Sequence, residues 1–114
     1  MELSLYHLVR EPKIKKEKNP LLLLLHGYGS NEEDLFSFAS ELPEDYYVVS
    51  ARAPFDLSYG SYAWYAINFD ADENKFSDIG QARASRDIIA RFIDELVTNY
   101  AIDAENVTLI GFSQ

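Results

Sequence analysis

With 114 residues, 47% of them hydrophobic and 25% charged, the chain is one domain or a piece of one, and too apolar to be intrinsically disordered. Its 19 acidic residues against 10 basic ones give a net charge of -9, and the one basic cluster, Lys13 to Lys18, contains Glu17 and no aromatic side chain, which excludes nucleic acid as a partner. Cysteine is absent, so a disulfide framework, a thiolate metal site and a cysteine nucleophile are excluded as well.

Met1 to His7 has no basic stretch followed by an apolar one, so a cytoplasmic protein without a signal peptide is expected. Leu3, Leu5, His7 and Val9 alternate with Ser4, Tyr6, Leu8 and Arg10, which predicts a strand near a sheet edge with His7 partly buried on it. Arg10 to Pro20 is charged, carries Pro12 and Pro20, and reads as a solvated connection. Leu21 to Leu25 is a continuous apolar run between Pro20 and Gly27. It is far shorter than the roughly 20 residues of a transmembrane helix and fits a strand covered on both faces, as parallel strands are.

Ser30 stands three residues before Glu33, the spacing of a capping box, and Leu35, Phe38 or Ala39, and Leu42 recur at helical intervals, predicting a helix from Asn31 to Leu42. Tyr46 to Ala51, β-branched and aromatic, predicts a second buried strand. Phe55 to Asn74 reads as a long aromatic loop. From Asp78 to about Asn99, Ala82, Ile89, Phe92, Ile93, Leu96, Val97 and Tyr100 share one helical face, with Arg83, Arg86, Asp87, Arg91, Asp94 and Glu95 on the other. Val107 to Ile110 predicts a third strand, introduced by Asp103-Ala104-Glu105-Asn106 and ended by Gly111.

Strands alternating with helices in this way define the α/β class, a mainly parallel sheet flanked by helices and formed by residues 1–114 as part of one domain. Ligands in such sheets lie at the carboxyl ends of the strands, which here carry Gly27 to Ser30, Arg52 to Phe55 and Gly111 to Gln114. Gly111-Phe112-Ser113 directly after a buried strand suits a nucleophile elbow, in which a sharp turn lifts the Ser113 hydroxyl clear of the sheet and glycine two residues earlier avoids a clash. His26-Gly27-Tyr28-Gly29 suits an oxyanion loop whose glycines let the backbone bend. The Tyr28 N–H is the expected donor, with the Gln114 N–H as the second.

Leu22-Leu23-Leu24-Leu25-His26-Gly27-Tyr28-Gly29 with Asp34-Leu35, then Ala53-Pro54, Ala63-Trp64-Tyr65 and Gly111-Phe112-Ser113-Gln114, resemble the phospholipase/carboxylesterase family of α/β-hydrolases, which includes the acyl-protein thioesterases. The resemblance covers residues 20–114 and implies hydrolysis of acyl esters or thioesters by a serine with an Asp and a His, with no cofactor. It also implies that Trp64 and Tyr65 border an acyl pocket. Tyr28 replaces a leucine found in many members and would narrow the acyl channel, and Tyr59-Gly60-Ser61-Tyr62 replaces an Asn-Gly-Gly-like stretch.

In α/β-hydrolases the acid and base follow the nucleophile in the chain, so both are expected beyond residue 114, which would leave the α/β-hydrolase fold incomplete at the C-terminus and the 114-residue chain without catalysis. The alternative is a noncatalytic binding module or an inactive fragment. Val107 to Ile110 would then present an apolar sheet edge, through which self-association is expected. His26 precedes the oxyanion loop and is read as ordering it, with Gly27 and Gly29, rather than as the base. Asp70, Asp72 and Asn74 mimic the start of a calcium loop, but Lys75 stands where glycine is needed and Gln81 where glutamate belongs, so no metal is expected. Gly27-Tyr28-Gly29 lacks the Gly-Lys-Ser/Thr ending of a phosphate loop. Phe55, Tyr59, Tyr62, Trp64, Tyr65 and Phe69 form either a satellite core or a pocket wall.

Overall fold

The computed structural model describes residues 3–64, 67–69, 75–77 and 79–111. Its central element is β2, Asn19–Leu25, the leucine run, which pairs in parallel with β3, Tyr47–Ala51, on one side and with β8, Ile102–Gly111, on the other. β1, His7–Arg10, adds antiparallel to β3, so the order is β1-β3-β2-β8 with the first strand at an edge, as the N-terminal alternation predicts.

β2 and β3 are covered on both faces, successive leucines of β2 pointing to opposite sides. Leu21 and Leu23 join Val49, Phe92, Leu96 and Ile102 in the larger core, under the helix α2, Ile79–Asn99. Leu22 and Leu24 pack with Val48 and Ala39 on the other face, under α1, Glu32–Phe36. On α2 the predicted apolar face is the one that packs, with Ile89, Ile93, Val97 and the following Tyr100 lying against the core. His7 sits partly buried against the Phe92 ring, at 5.3 Å between centroids, with its Nε2 3.2 Å from the Tyr100 hydroxyl.

Several expectations are corrected. The helix predicted over 31–42 stops at Phe36, followed by a 3-10 turn at Ala39–Glu41. Ser37 caps it, its hydroxyl donating to the Asp34 carbonyl at 2.8 Å, and Phe38 faces solvent rather than the core. The N-cap is Asn31, whose side chain accepts the Glu33 N–H at 2.9 Å, while the Ser30 hydroxyl donates to Asp34 at 2.7 Å, so no Ser30–Glu33 capping box forms.

The supposed aromatic loop contains two hairpins, β4, Phe55–Ser58, with β5, Ser61–Ala63, and β6, Ile67–Phe69, with β7, Lys75–Ser77. The first turns through Ser58, Tyr59 and Gly60, all at positive φ, a conformation that glycine takes freely and the other two adopt only under local restraint. Asp70, Asp72 and Asn74 lie outside the described residues.

The connection predicted over Arg10 to Pro20 is trimmed at both ends. Arg10 belongs to β1, and its guanidinium donates to the carbonyls of Ala39, Leu42, Pro43 and Tyr46, closing the end of the 3-10 turn. Asn19 opens β2, buried, with its Nδ2 donating to the Ile14 and Asp45 carbonyls. β8 also begins earlier than Val107. Two steps along β2, from Asn19 to Leu21, match five along β8, from Ile102 to Val107, a bulge that falls where Pro20 has no N–H to give the ladder.

Candidate active site

At the carboxyl end of β2 the chain turns through His26 to Ser30 before α1 begins. Gly29 has φ +77, and a Cβ built on it would meet nothing within 4 Å, so the requirement for glycine is conformational rather than steric. Register brings the starts of the two predicted loops side by side, because Leu25, just before His26, pairs with Gly111, the last described residue of β8. Among the described residues a Cβ on Gly111 meets nothing within 4 Å. Ser113, Gln114 and Tyr65 lie outside the described residues.

His26 is buried and makes one polar contact with each ring nitrogen. Nε2 accepts the Ala53 N–H at 3.0 Å, which leaves Nδ1 to donate to the Gly27 carbonyl at 2.8 Å, and together these define the neutral Nδ1–H tautomer. Burial pushes its pKa below the ordinary value, outweighing the Gly27 hydrogen bond and the nearby Glu32 carboxylate, which act in the other direction. The His26 carbonyl accepts the Trp64 Nε1–H at 2.8 Å, and the Ser85 hydroxyl of α2 donates to the Trp64 carbonyl.

The loop amides are differently engaged. Gly29 N–H donates to the Tyr62 carbonyl at 3.0 Å and Ser30 N–H to the Gly27 carbonyl at 3.1 Å, while the Tyr62 N–H returns to the Ser30 carbonyl at 2.8 Å. Tyr28 N–H has no partner among the described residues, and its side chain is 41% exposed.

Beside this loop lies an ion pair that no local pattern in the sequence reveals. Glu32, on the first turn of α1, is buried and takes Arg52, just beyond β3, in a bidentate grip: Nε to Oε1 at 2.7 Å and Nη2 to Oε2 at 3.0 Å. The Arg52 hydrogen bonds hold the Glu32 carboxyl below the usual carboxylate range despite its burial. The guanidinium also lies over two rings, Tyr6 at 4.3 Å and Tyr62 at 4.5 Å.

A hollow of about 340 Å³, mostly apolar, opens between α2 and the ends of β2 and β8, lined by Leu25, Trp64, Ala82, Ile89, Leu109 and Gly111. Trp64 thus belongs both to the core and to a cavity wall. Of the other aromatic candidates, Tyr62 packs on the core and Tyr59 projects fully into solvent. No cluster of His, Asp and Glu able to hold a metal occurs among the described residues, and no helix there is long and apolar enough to cross a membrane.

A mainly parallel sheet with helices on both faces, a His-Gly-x-Gly turn after its central strand and a Gly-x-Ser sequence after the strand beside it define an α/β-hydrolase. Residues 7–114 match the phospholipase/carboxylesterase family, and the chain belongs to that family. A carboxylesterase of Bacillus cereus is 27% identical, with 95% of this chain and 48% of that one covered at a TM-score of 0.75. A carboxylesterase of Mesorhizobium loti, 19% identical over 97% of this chain and 50% of its own at a TM-score of 0.78, shares the fold. So does acyl-protein thioesterase 2 of Zea mays, 22% identical over 95% and 46% at a TM-score of 0.62. The chain therefore spans about half the length of these structures. A search among curated proteins returned no match.

Proposed function

We propose that this chain supplies the nucleophile and oxyanion hole of a serine hydrolase that cleaves carboxylic esters or thioesters of acyl groups. The pairing of Leu25 with Gly111 carries the reading, because it sets the start of the His26–Gly29 loop beside the start of the Gly111–Gln114 segment. Ser113 attacks the acyl carbonyl, and the N–H groups of Tyr28 and Gln114 bind the negative charge that develops on its oxygen. The Tyr28 amide, without a partner among the described residues while those of Gly29 and Ser30 are engaged, supports its part in this. His26, Gly27 and Gly29 order the loop, and Trp64 with Tyr65 borders the acyl group, for which the apolar hollow beside Gly111 offers room.

The general base comes from outside these residues. The chain has 2 histidines. His26 is held by Ala53 and Gly27, and His7 sits across the sheet on β1 against Tyr100, with two strands between it and β8. The protein expressed from the complete reading frame is expected to be labelled by a fluorophosphonate and to hydrolyse short acyl esters, with both properties lost in Ser113→Ala. A Ser113→Ala protein that keeps full esterase activity would end this reading.

A further inference from the structure

The oxyanion loop is gripped from its far side by a closed ring of contacts. Tyr62 brackets the loop with its backbone, taking the Gly29 N–H on its carbonyl and giving its own N–H to the Ser30 carbonyl. The Tyr62 ring lies against the Arg52 guanidinium, 4.5 Å from its centroid. Arg52 in turn holds both carboxylate oxygens of Glu32, which stands two residues past Ser30 and so returns the ring to the loop. Two further bonds pin the ring to the sheet: the Ser50 hydroxyl donates to the Glu32 carbonyl at 2.6 Å, and the Arg52 N–H donates to the Tyr6 carbonyl at 2.8 Å.

A planar guanidinium suits this place. Its fork matches a carboxylate, while its faces remain free for rings, and Tyr6 and Tyr62 both use them. A lysine would balance the buried Glu32 charge without the fork or the stacked faces. The loop needs such a restraint, since Gly29 at its turn gives the backbone unusual freedom and an oxyanion donor works only within a few tenths of an ångström of its proper distance.

We propose that Arg52 is a positioning residue for the hydrolysis, fixing through Tyr62 the point at which the Tyr28 amide meets the developing oxyanion. The proposal rests on the serine-hydrolase reading given above. It concerns transition-state stabilisation rather than substrate binding, so it makes a kinetic prediction that a purely structural ion pair does not.

The test uses the protein expressed from the complete reading frame, first checked for ester turnover that depends on Ser113. If that dependence fails, the hydrolase reading falls and takes this proposal with it. Given turnover, Arg52→Lys is expected to lower kcat about tenfold or more with KM changed less than about twofold. Affinity for a trifluoromethyl ketone, which adds to the serine and forms a tetrahedral oxyanion, should fall by the same factor. Affinity for the corresponding alcohol, which cannot add, should stay unchanged.

Tyr62→Phe keeps the ring and should behave as the parent, whereas Tyr62→Ala keeps the backbone bonds, loses the ring and should reproduce the Arg52→Lys defect. Because Tyr62→Ala leaves the Glu32 ion pair in place, it decides the matter even where Arg52→Lys does not fold. The proposal is overturned if either folded variant, Arg52→Lys or Tyr62→Ala, keeps its kcat and its ketone affinity, or if the loss lies in KM alone.

Discussion

The Nε2 atom of His26 accepts the Ala53 N–H at 3.0 Å, so one buried imidazole ties the turn after β2 to the turn after β3. This bond exists only while Nε2 is unprotonated. In the folded chain the pKa of His26 lies below its ordinary value of 6.5, the value it regains on unfolding. As pH falls below 6.5, the unfolded chain takes up a proton that the folded one refuses, so stability declines until the folded pKa is passed and then stays level. Well above 6.5 His26 contributes its full stabilisation with no pH dependence. Thermal midpoints measured between about pH 7.5 and pH 5 should fall more for the parent than for His26→Gln, which has no titrating ring. Equal slopes for the two proteins would show that His26 titrates normally.

Arg10 provides a purely structural counterpart. Its guanidinium collects the carbonyls of Ala39, Leu42, Pro43 and Tyr46, of which Ala39 and Pro43 also accept the backbone N–H groups of Leu42 and Tyr46. Arg10→Met should keep the packing of the stem and remove a charged donor from all four carbonyls, costing about 2 kcal/mol in urea unfolding. Its kinetic constants should match the parent's, since Arg10 lies at the amino side of β3, paired with Val48, away from the loop. Unchanged stability would mean that water replaces the guanidinium without loss.

Gly29 separates backbone strain from crowding. Since φ is +77 and a Cβ would meet nothing within 4 Å, Gly29→Ala should cost about 1 to 2 kcal/mol from the left-handed conformation alone, and Gly29→Asn should cost less. Gly29 also donates to Tyr62, so any drift of φ toward an ordinary value breaks that bond and moves the loop. Esterase activity of the complete protein should therefore fall further in Gly29→Ala than stability does. An alanine variant as active as the parent would remove the loop from the proposed oxyanion hole.

What was legible in the sequence depended on how local its cause is. The leucine run of β2 and the apolar face of α2 follow from burial on a simple period, and both are present as expected. Helix α1 ended early because the Ser37 hydroxyl bonds back to Asp34, a competition that apolar spacing does not register. The β4–β5 hairpin carried its own signal, Ser58-Tyr59-Gly60 between Phe55-Asp56-Leu57 and Ser61-Tyr62, which the density of aromatic residues obscured. In the candidate site, the His26 loop could be read from its glycines. The Glu32–Arg52 pair, 20 positions apart, exists only because β2 and β3 are neighbours in the sheet.

The outer edge of β8 yields the last prediction. β8 is paired with β2 on one side and ends the four-stranded sheet on the other, with Leu109 47% and Ile110 39% exposed. Adjacent strand residues point to opposite faces, so these two expose apolar surface on both sides of one edge, and the free ladder groups can pair with another chain. The isolated 114-residue chain should therefore self-associate in light scattering as its concentration rises. Leu109→Lys or Ile110→Lys should restore a monomer, since a charge at the edge opposes both burial and strand addition. Leu109 also lines the hollow beside Gly111, so its substitution should disturb the hollow as well, whereas Ile110, outside that lining, isolates the edge. A parent chain that stays monomeric at high concentration would show that this edge is protected by means other than pairing.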